Sequence, residues 1–494
     1  MGVVIRQASL SAVSSYVGAI IGFINVSLLM NNFFSLEEFG LRSSLLDIAV
    51  IASVTAQLGT GKSLVKFNPF FSKDKKNDDN GLFSFSLTIA FFGFCIISII
   101  LILLRGTVIE HFRDNSSLIA DYYWAIFPLI FLMLANFMFE SKLQSISNTA
   151  FASFTKEVLS KLLITLSLGL FYFQIIDYFQ FIVFFLITYA LNSLLYIGFL
   201  IRMKMFSLKI NWHFFKRKLQ KIYFRYSFFS IFTNMSGVLL NKLDVLMILF
   251  LMGLGSTAIY ANAMYLSALM TIPAYAVAKI SFPLLSQHYK LKQMDKILEL
   301  YEKASINQFL IGGILFVLLW SNLDNIFSMQ QPEYKLGKYV ILILCLSRLF
   351  SMLTGVNAQI ISVSKYYPFE GISSTILTVV AIGTNFYFIP IYGLNGAAIA
   401  TAISIVLFNI SRTYFIYVKL NLLPFTKNTL KSFVILLVCF LIGTYIPSLD
   451  NIFLDIFFRS SILICTLVFL VIRLKVSNDI SVLYLKYFGR FINK

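Results

Sequence analysis

Charge is scarce in this sequence. Only 13% of its 494 residues are Asp, Glu, Lys or Arg, against about a quarter in soluble domains. Hydrophobic residues make up 59%, and the mean hydropathy is +0.83. So few charges cannot cover a water-facing surface, which excludes an ordinary soluble globule. Acids are scarcer still, 22 against 40 Lys and Arg, for a net charge of +18. Histidine is limited to His111, His213 and His288, in separate connecting segments. They read as solvated loop residues and offer no metal cluster. The four cysteines, Cys95, Cys345, Cys439 and Cys465, each fall inside an apolar run. They read as small core residues without a CxxC pair or disulfide framework. Long polar stretches are also missing. No outer loop exceeds about twenty residues, too little for a catalytic domain.

Long apolar runs are what the sequence does contain. About fourteen segments approach the twenty residues that a bilayer core requires. They lie near 11–33, 43–65, 81–104, 121–141, 157–174, 179–201, 227–250, 257–284, 304–325, 339–361, 371–390, 395–418, 430–447 and 456–473. The fold class is therefore an all-α integral membrane protein. The start, MGVVIRQASL, carries one charge and no small-residue cleavage site, so it reads as an uncleaved first helix.

The basic excess reads as topology rather than nucleic-acid binding, which needs a soluble basic face. With a cytoplasmic N-terminus, about thirty Lys and Arg fall in loops on one side and about six on the other. They concentrate in Lys73–Lys76 and in the acid-free stretch Arg202 to Arg225. That stretch interleaves Trp212, Phe214, Phe215, Tyr223 and Phe224 with bases. It reads either as an interfacial helix on an anionic leaflet or as a plain connector. It divides six spans (1–205) from six more (227–420), with 206–226 between them and two extra spans and a tail in 421–494. Ser35 to Ala49 and Gly253 to Ala268 occupy matching places in the two halves, each as a short outer turn before a helix. Two six-span lobes entering from the same side imply a symmetry axis along the membrane normal.

The stretch NFYFIPIYGLNGAAIATAIS, Asn385 to Ser404, reads as the outer hairpin between spans eleven and twelve. Pro390 lacks a backbone N–H, and glycine permits positive φ in the turn. Ala397, Ala398, Ala400, Thr401 and Ala402 then allow close helix approach, which drives association in lipid. Pro273 and Pro283 are expected to kink span eight. Gly59-Thr60-Gly61-Lys62-Ser63 ends in GKS but lacks the earlier P-loop glycine and lies within a span, so it reads as a flexed helix.

Polar groups inside spans carry the functional signal, since a mid-bilayer charge costs about 2.5–3.5 kcal/mol on insertion scales. At about 100° per residue, three stripes each fill an arc near 80°. They are Ser11, Ser14, Gly18, Gly22 and Asn25; Ser230, Asn234, Gly237, Asn241 and Asp244; and Arg348, Ser351, Gly355, Gln359 and Ser362. Three stripes, one with an arginine, favour a hydrated cavity over simple helix glue. Arg348 is the leading anion contact. Lys242 can pair with Asp244 or reach the cavity. Lys279, Arg412 and Lys62 are further cavity candidates, with snorkelling to the interface as the bland reading of each. Asp244, Asp47 and Glu140 are candidates for ion coupling. Bases outnumber acids within the spans, which favours an anionic, phosphate-bearing substrate. No metal, cofactor or nucleic acid is expected.

The P-x-Y-G-x-x-G-A-A-x-A-T pattern at Pro390 to Thr401, and NKLDVLMILFLMGLGSTAIYANAMYL at Asn241 to Leu266, resemble Wzx-type polysaccharide flippases. These belong to the multidrug/oligosaccharidyl-lipid/polysaccharide (MOP) superfamily. The resemblance spans nearly the whole chain and implies a MATE-like fold in the bacterial inner membrane. It implies transport of a polyprenyl-diphosphate-linked oligosaccharide for O-antigen, capsule or exopolysaccharide. Membrane lipids, a polysaccharide polymerase and chain-length machinery are the implied partners. It also implies a cationic cavity lined by spans one, two, seven and eight; Lys242 fits this better than Arg348. Alternatives within the superfamily are a lipid II flippase and a cation-coupled multidrug exporter, the latter disfavoured because span one has no membrane-embedded acid. A membrane glycosyltransferase or polymerase is remote, for want of a soluble domain.

Overall fold

The computed structural model describes residues 2–71, 81–112, 116–146, 148–209 and 217–476. The Lys73–Lys76 run, residues 210–216 of the basic segment with Trp212 and His213, the tail from 477 and the side chain of Asn241 lie outside the described residues. Among the described residues every regular element is a helix, and eleven helices are long and apolar enough to cross a membrane. In the Leu82–Phe112 helix only 11% of the most apolar window is buried. That helix spends its apolar surface on lipid.

Two of the eleven, Lys242–Lys290 with 49 residues and Pro368–Leu420 with 53, exceed one crossing. Each breaks at a glycine: Gly253 at φ 81°, ψ −175° and Gly393 at φ 56°, ψ −132°. A positive φ is nearly free for glycine and strained for other residues. Each expected outer turn is thus made by one residue. Beyond Gly393 the two arms meet backbone to backbone, because a Cβ on Gly396 would lie 2.0 Å from the Phe388 carbonyl oxygen. Ala397, Ala398 and Ala400 are fully buried, as close approach requires.

Local sequence explains several departures from the expected spans. The second span starts at Leu36, not near 43. Ser35 accepts a bond from the Glu38 N–H, and Glu38 accepts one from the Ser35 N–H at 2.8 Å. This capping box begins the helix where a longer turn was expected. The helix ends at Ala56, passes through Leu58 (φ 51°) and Gly59 (φ 74°), and resumes as Thr60–Phe71. The flexed-helix reading of the GKS stretch describes this break. The fifth span is segmented, with π-helix Thr155–Leu159 between Thr149–Phe154 and Ser160–Tyr172. Span eight is interrupted by the 3-10 turn Leu269–Thr271 just before Pro273, whereas Ile272–Lys290 runs on through Pro283. In span ten, Lys338–Leu353 stops before Asn357–Val363. The stripe from Arg348 to Ser362 therefore does not lie on one continuous helix, and its single arc is withdrawn.

Contacts group the chain into two compact units. The first comprises Met1–Asn262 and Ser374–Ala397; the second comprises Ala263–Ser373 and Ala398–Lys494. A core of Phe67, Phe71, Phe83, Phe139, Tyr196 and Tyr223 organises the first. Leu285, Ile297, Tyr301, Val356 and Ile416 organise a core in the second. There the buried Asp455 carboxylate ties the last helix, Ile452–Arg473, to its neighbours. It accepts from Asn325 Nδ2 at 2.6 Å and the Leu449 N–H at 2.9 Å, and forms an ion pair with Arg459, Nε at 2.8 Å.

Candidate functional site

Three sequence candidates converge in the first unit. Lys62, Glu140 and Asn234 line one cleft of about 220 Å³ with Val54, Gln57, Phe137, Ser141, Gln144 and Val238. Its walls are the broken second span, the helix Ile126–Ser145 and the seventh span. The break at Gly59 brings these together. A Cβ at Gly59 would sit 2.1 Å from the Ser227 carbonyl oxygen, and Ser63 Oγ lies 2.7 Å from Ser227 Oγ. Lys62 is exposed to the cleft and forms no ion pair with a described residue. Glu140 accepts from Lys156 Nζ at 3.0 Å. The cleft thus holds one unneutralised ammonium beside a neutralised carboxylate and several amide and hydroxyl groups. That set can receive an anion while excluding a second fixed charge.

Gln57, Ser141, Gln144 and Lys156 were not identified from sequence. The signal was present: Phe137, Glu140, Ser141 and Gln144 follow i, i+3, i+4, i+7 spacing on one helical face.

Lys242 does not pair with Asp244. Its Nζ lies 2.6 Å from Asp47 Oδ1, with side-chain exposures of 35% and 6%. Asp244 instead accepts from Tyr260 OH at 2.5 Å. On both helices the pair lies just beyond the cleft: Lys242 is one turn past Val238, and Asp47 two turns from Val54.

The remaining candidates lie elsewhere. Asn25 joins spans one and five, donating to the Lys161 carbonyl at 2.8 Å and accepting from Thr165 Oγ1 at 2.7 Å. In the same seam Lys161 Nζ donates to the Gly18 carbonyl at 2.9 Å, and a Cβ at Gly18 would meet the Glu157 carbonyl oxygen at 2.3 Å. Asn25 and Gly18 of the span-one stripe thus lie in a seam with span five. In the second unit, Arg412 forms an ion pair with Glu370, and its guanidinium lies 3.6 Å over the Phe408 ring. Arg348 is half-buried, with Nη2 3.7 Å from Met264 Sδ. Lys279 is exposed without an ion pair to a described residue. His111 is exposed but lies in the last turn of the Leu82–Phe112 helix and not in a loop; it stacks on Phe250 at 4.1 Å and has Nε2 2.9 Å from the Phe250 carbonyl. Cys345 and Cys439 are buried, but Cys465 is exposed on its helix.

A family model described as "Polysaccharide biosynthesis protein" matches residues 4–288, more than half of the chain. The chain belongs to the polysaccharide biosynthesis protein family. Its fold is like those of solved MOP superfamily transporters. "Lipid II flippase MurJ, inward closed conformation" superposes with a TM-score of 0.74 at 17% identity, covering 94% of this chain and 98% of that one. An outward-facing multidrug resistance MATE family transporter gives 0.58 at 13% identity, covering 85% and 95%. A MOP superfamily transporter from Pyrococcus furiosus gives 0.56 at 13%, with coverages of 85% and 95%. No curated protein sequence matches. This family member is a multi-pass membrane protein with a transporter fold. The positions of Lys62, Glu140 and Asn234 belong to the matched region.

Proposed function

We propose that this protein is a Wzx-type flippase carrying a polyprenyl-diphosphate-linked oligosaccharide from the cytoplasmic to the outer leaflet of a bacterial inner membrane. The observation that carries the reading is the polysaccharide-biosynthesis family match over the half of the chain that contains the cleft. The MurJ likeness supports a fold able to handle a lipid-linked saccharide. The excess of bases in the loops supports cytoplasmic termini. Fourteen spans in two six-helix lobes, with two additional spans, remain the architecture we propose. Lobes of that kind would alternate access to the two faces.

In this mechanism Lys62 attracts the diphosphate as a point charge, strengthened by the low dielectric around the cleft. Gln57, Ser141, Gln144 and Asn234 replace hydration around the phosphates and the first sugar. The polyprenyl tail stays in lipid, where it needs no binding groups. Arg348 is proposed as a second anion contact that acts at another stage of transport.

The test is complementation of a strain lacking its own glycan flippases. Wild-type protein is expected to restore surface polysaccharide. A charged contact to phosphate is worth about 1.5–3 kcal/mol, so Lys62→Ala and Arg348→Ala should each lower the product tenfold or more. Unchanged product in both variants removes the assigned residues. Wild-type protein that reaches the membrane but restores no glycan rejects the substrate class. A lipid II flippase would instead rescue cell-wall growth, and a multidrug exporter would raise drug resistance.

A further inference from the structure

The Lys242–Asp47 pair joins the second and seventh spans, along the chain between the polar cleft and the hairpin at Gly253. Past the pair, the hairpin at Gly253 is fastened to the N-terminal helices by contacts distant in sequence. A Cβ at Gly40 would lie 2.1 Å from the Leu254 carbonyl oxygen. The Leu254 N–H donates to Ser116 Oγ at 3.1 Å. His111 stacks on Phe250, and Ser27 Oγ donates to Asn262 Oδ1 at 3.3 Å. These contacts are backbone approaches, neutral hydrogen bonds and one ring stack. The ion pair differs from them because one partner is accessible: Lys242 is 35% exposed and Asp47 only 6%. The ammonium is therefore open to competition from an anion, whereas the carboxylate is shielded. Arg42, five residues before Asp47, also acts on that carboxylate electrostatically. Losing Lys242 would not leave Asp47 without any positive neighbour.

We propose that the Lys242–Asp47 pair is a latch on the Gly253 hairpin, released when a diphosphate-bearing lipid takes Lys242 from Asp47. The proposal rests on the flippase reading and adds its regulation. The hairpin stays fastened until a substrate anion has arrived, so the site does not open empty. A ligand shifts such an equilibrium only through different affinities for the two states. Here the difference is the lysine, held by Asp47 in the closed state and free for phosphate in the open one.

The experiment uses full-length protein in right-side-out vesicles, with Cys95, Cys345, Cys439 and Cys465 replaced. A reporter, Ser43→Cys, is placed at a buried position one turn from Asp47. A membrane-impermeant maleimide is added outside. Labelling should be slow in the otherwise wild-type protein and about tenfold faster in Lys242→Gln and in Asp47→Asn, a change equal to about 1.4 kcal/mol in the opening equilibrium. A polyprenyl diphosphate should accelerate labelling of the wild-type pair, and the matching polyprenol should not. Neither lipid should change Lys242→Gln further. The exchanged pair, Lys242→Asp with Asp47→Lys, should return labelling toward the slow rate, which a merely misfolded variant would not do. Slow labelling in both single variants overturns the latch. Fast labelling in both, with no response of the wild-type pair to diphosphate, overturns release by substrate. Complementation by the wild-type chain reports the flippase reading separately. Restored glycan without these changes sinks the latch alone.

Discussion

Arg412→Ala should destabilise the detergent-solubilised protein by about 1.5–3 kcal/mol, the cost of losing charged hydrogen bonds in a half-buried ion pair. Arg412 Nε lies 3.0 Å from Glu370 Oε2, the second guanidinium nitrogen bonds Glu370 Oε1, and the side chains are 14% and 23% exposed. The loss has two parts. Glu370 keeps its charge in a poorly hydrated place, and the Phe408 ring loses the planar cation above it. The double variant Arg412→Ala with Glu370→Gln should recover much of the loss, because no uncompensated carboxylate remains. Arg412→Lys should recover little, since an ammonium cannot reproduce a two-pronged contact or a flat stack. Thermal unfolding of the four proteins in one detergent checks the series. Additive losses in the double variant would show that the two side chains do not act as a pair.

Gly396→Val should be at least as damaging, for a different reason. Its Cβ would stand 2.0 Å from the Phe388 carbonyl oxygen on the other arm of the Gly393 hairpin. Both sides of that contact are backbone, so no rotamer change relieves it. Overpacking of this severity costs about 3 kcal/mol or more. Gly198→Val is the control, because nothing lies within 4 Å of a Cβ there; a change within about 0.5 kcal/mol is expected. The readouts are the monodisperse yield and the unfolding temperature. A Gly396→Val protein that unfolds with the wild type would refute the close approach of the arms.

The helices were legible because lipid makes one simple demand: about twenty apolar residues with satisfied backbone. Turns were legible where glycine or capping chemistry is local. Gly393 and Gly253 are such cases; the Ser35–Glu38 box was missed although its S-x-x-E spacing stands in the sequence. The site was less legible because pairing is not local. Lys242 stands two residues from Asp244, yet its partner Asp47 is 195 residues away. Asp244 is occupied by Tyr260 on the other arm of its hairpin. Helical phase also presumes an unbroken helix. Asn234 lines the cleft from a continuous helix. The phase failed in span ten, where the helix stops at Leu353. Span one shows a third limit. Its Gly18 and Asn25 have cavity spacing but lie in a helix seam, and spacing alone does not separate those uses. Counting bases likewise overstated the cationic character, because Lys156, Lys161, Lys242 and Arg412 each face a carboxylate.

Reconstitution tests the central claim most directly. Purified protein is placed in liposomes carrying a fluorescent polyprenyl-diphosphate-linked oligosaccharide, and lipid in the outer leaflet is followed by its loss to an impermeant glycan-cleaving enzyme. The account predicts that the protected half of the lipid becomes accessible in the presence of the wild-type chain, and at least about tenfold more slowly with Lys62→Ala. A protected half that stays protected beside well-inserted wild-type protein would contradict it.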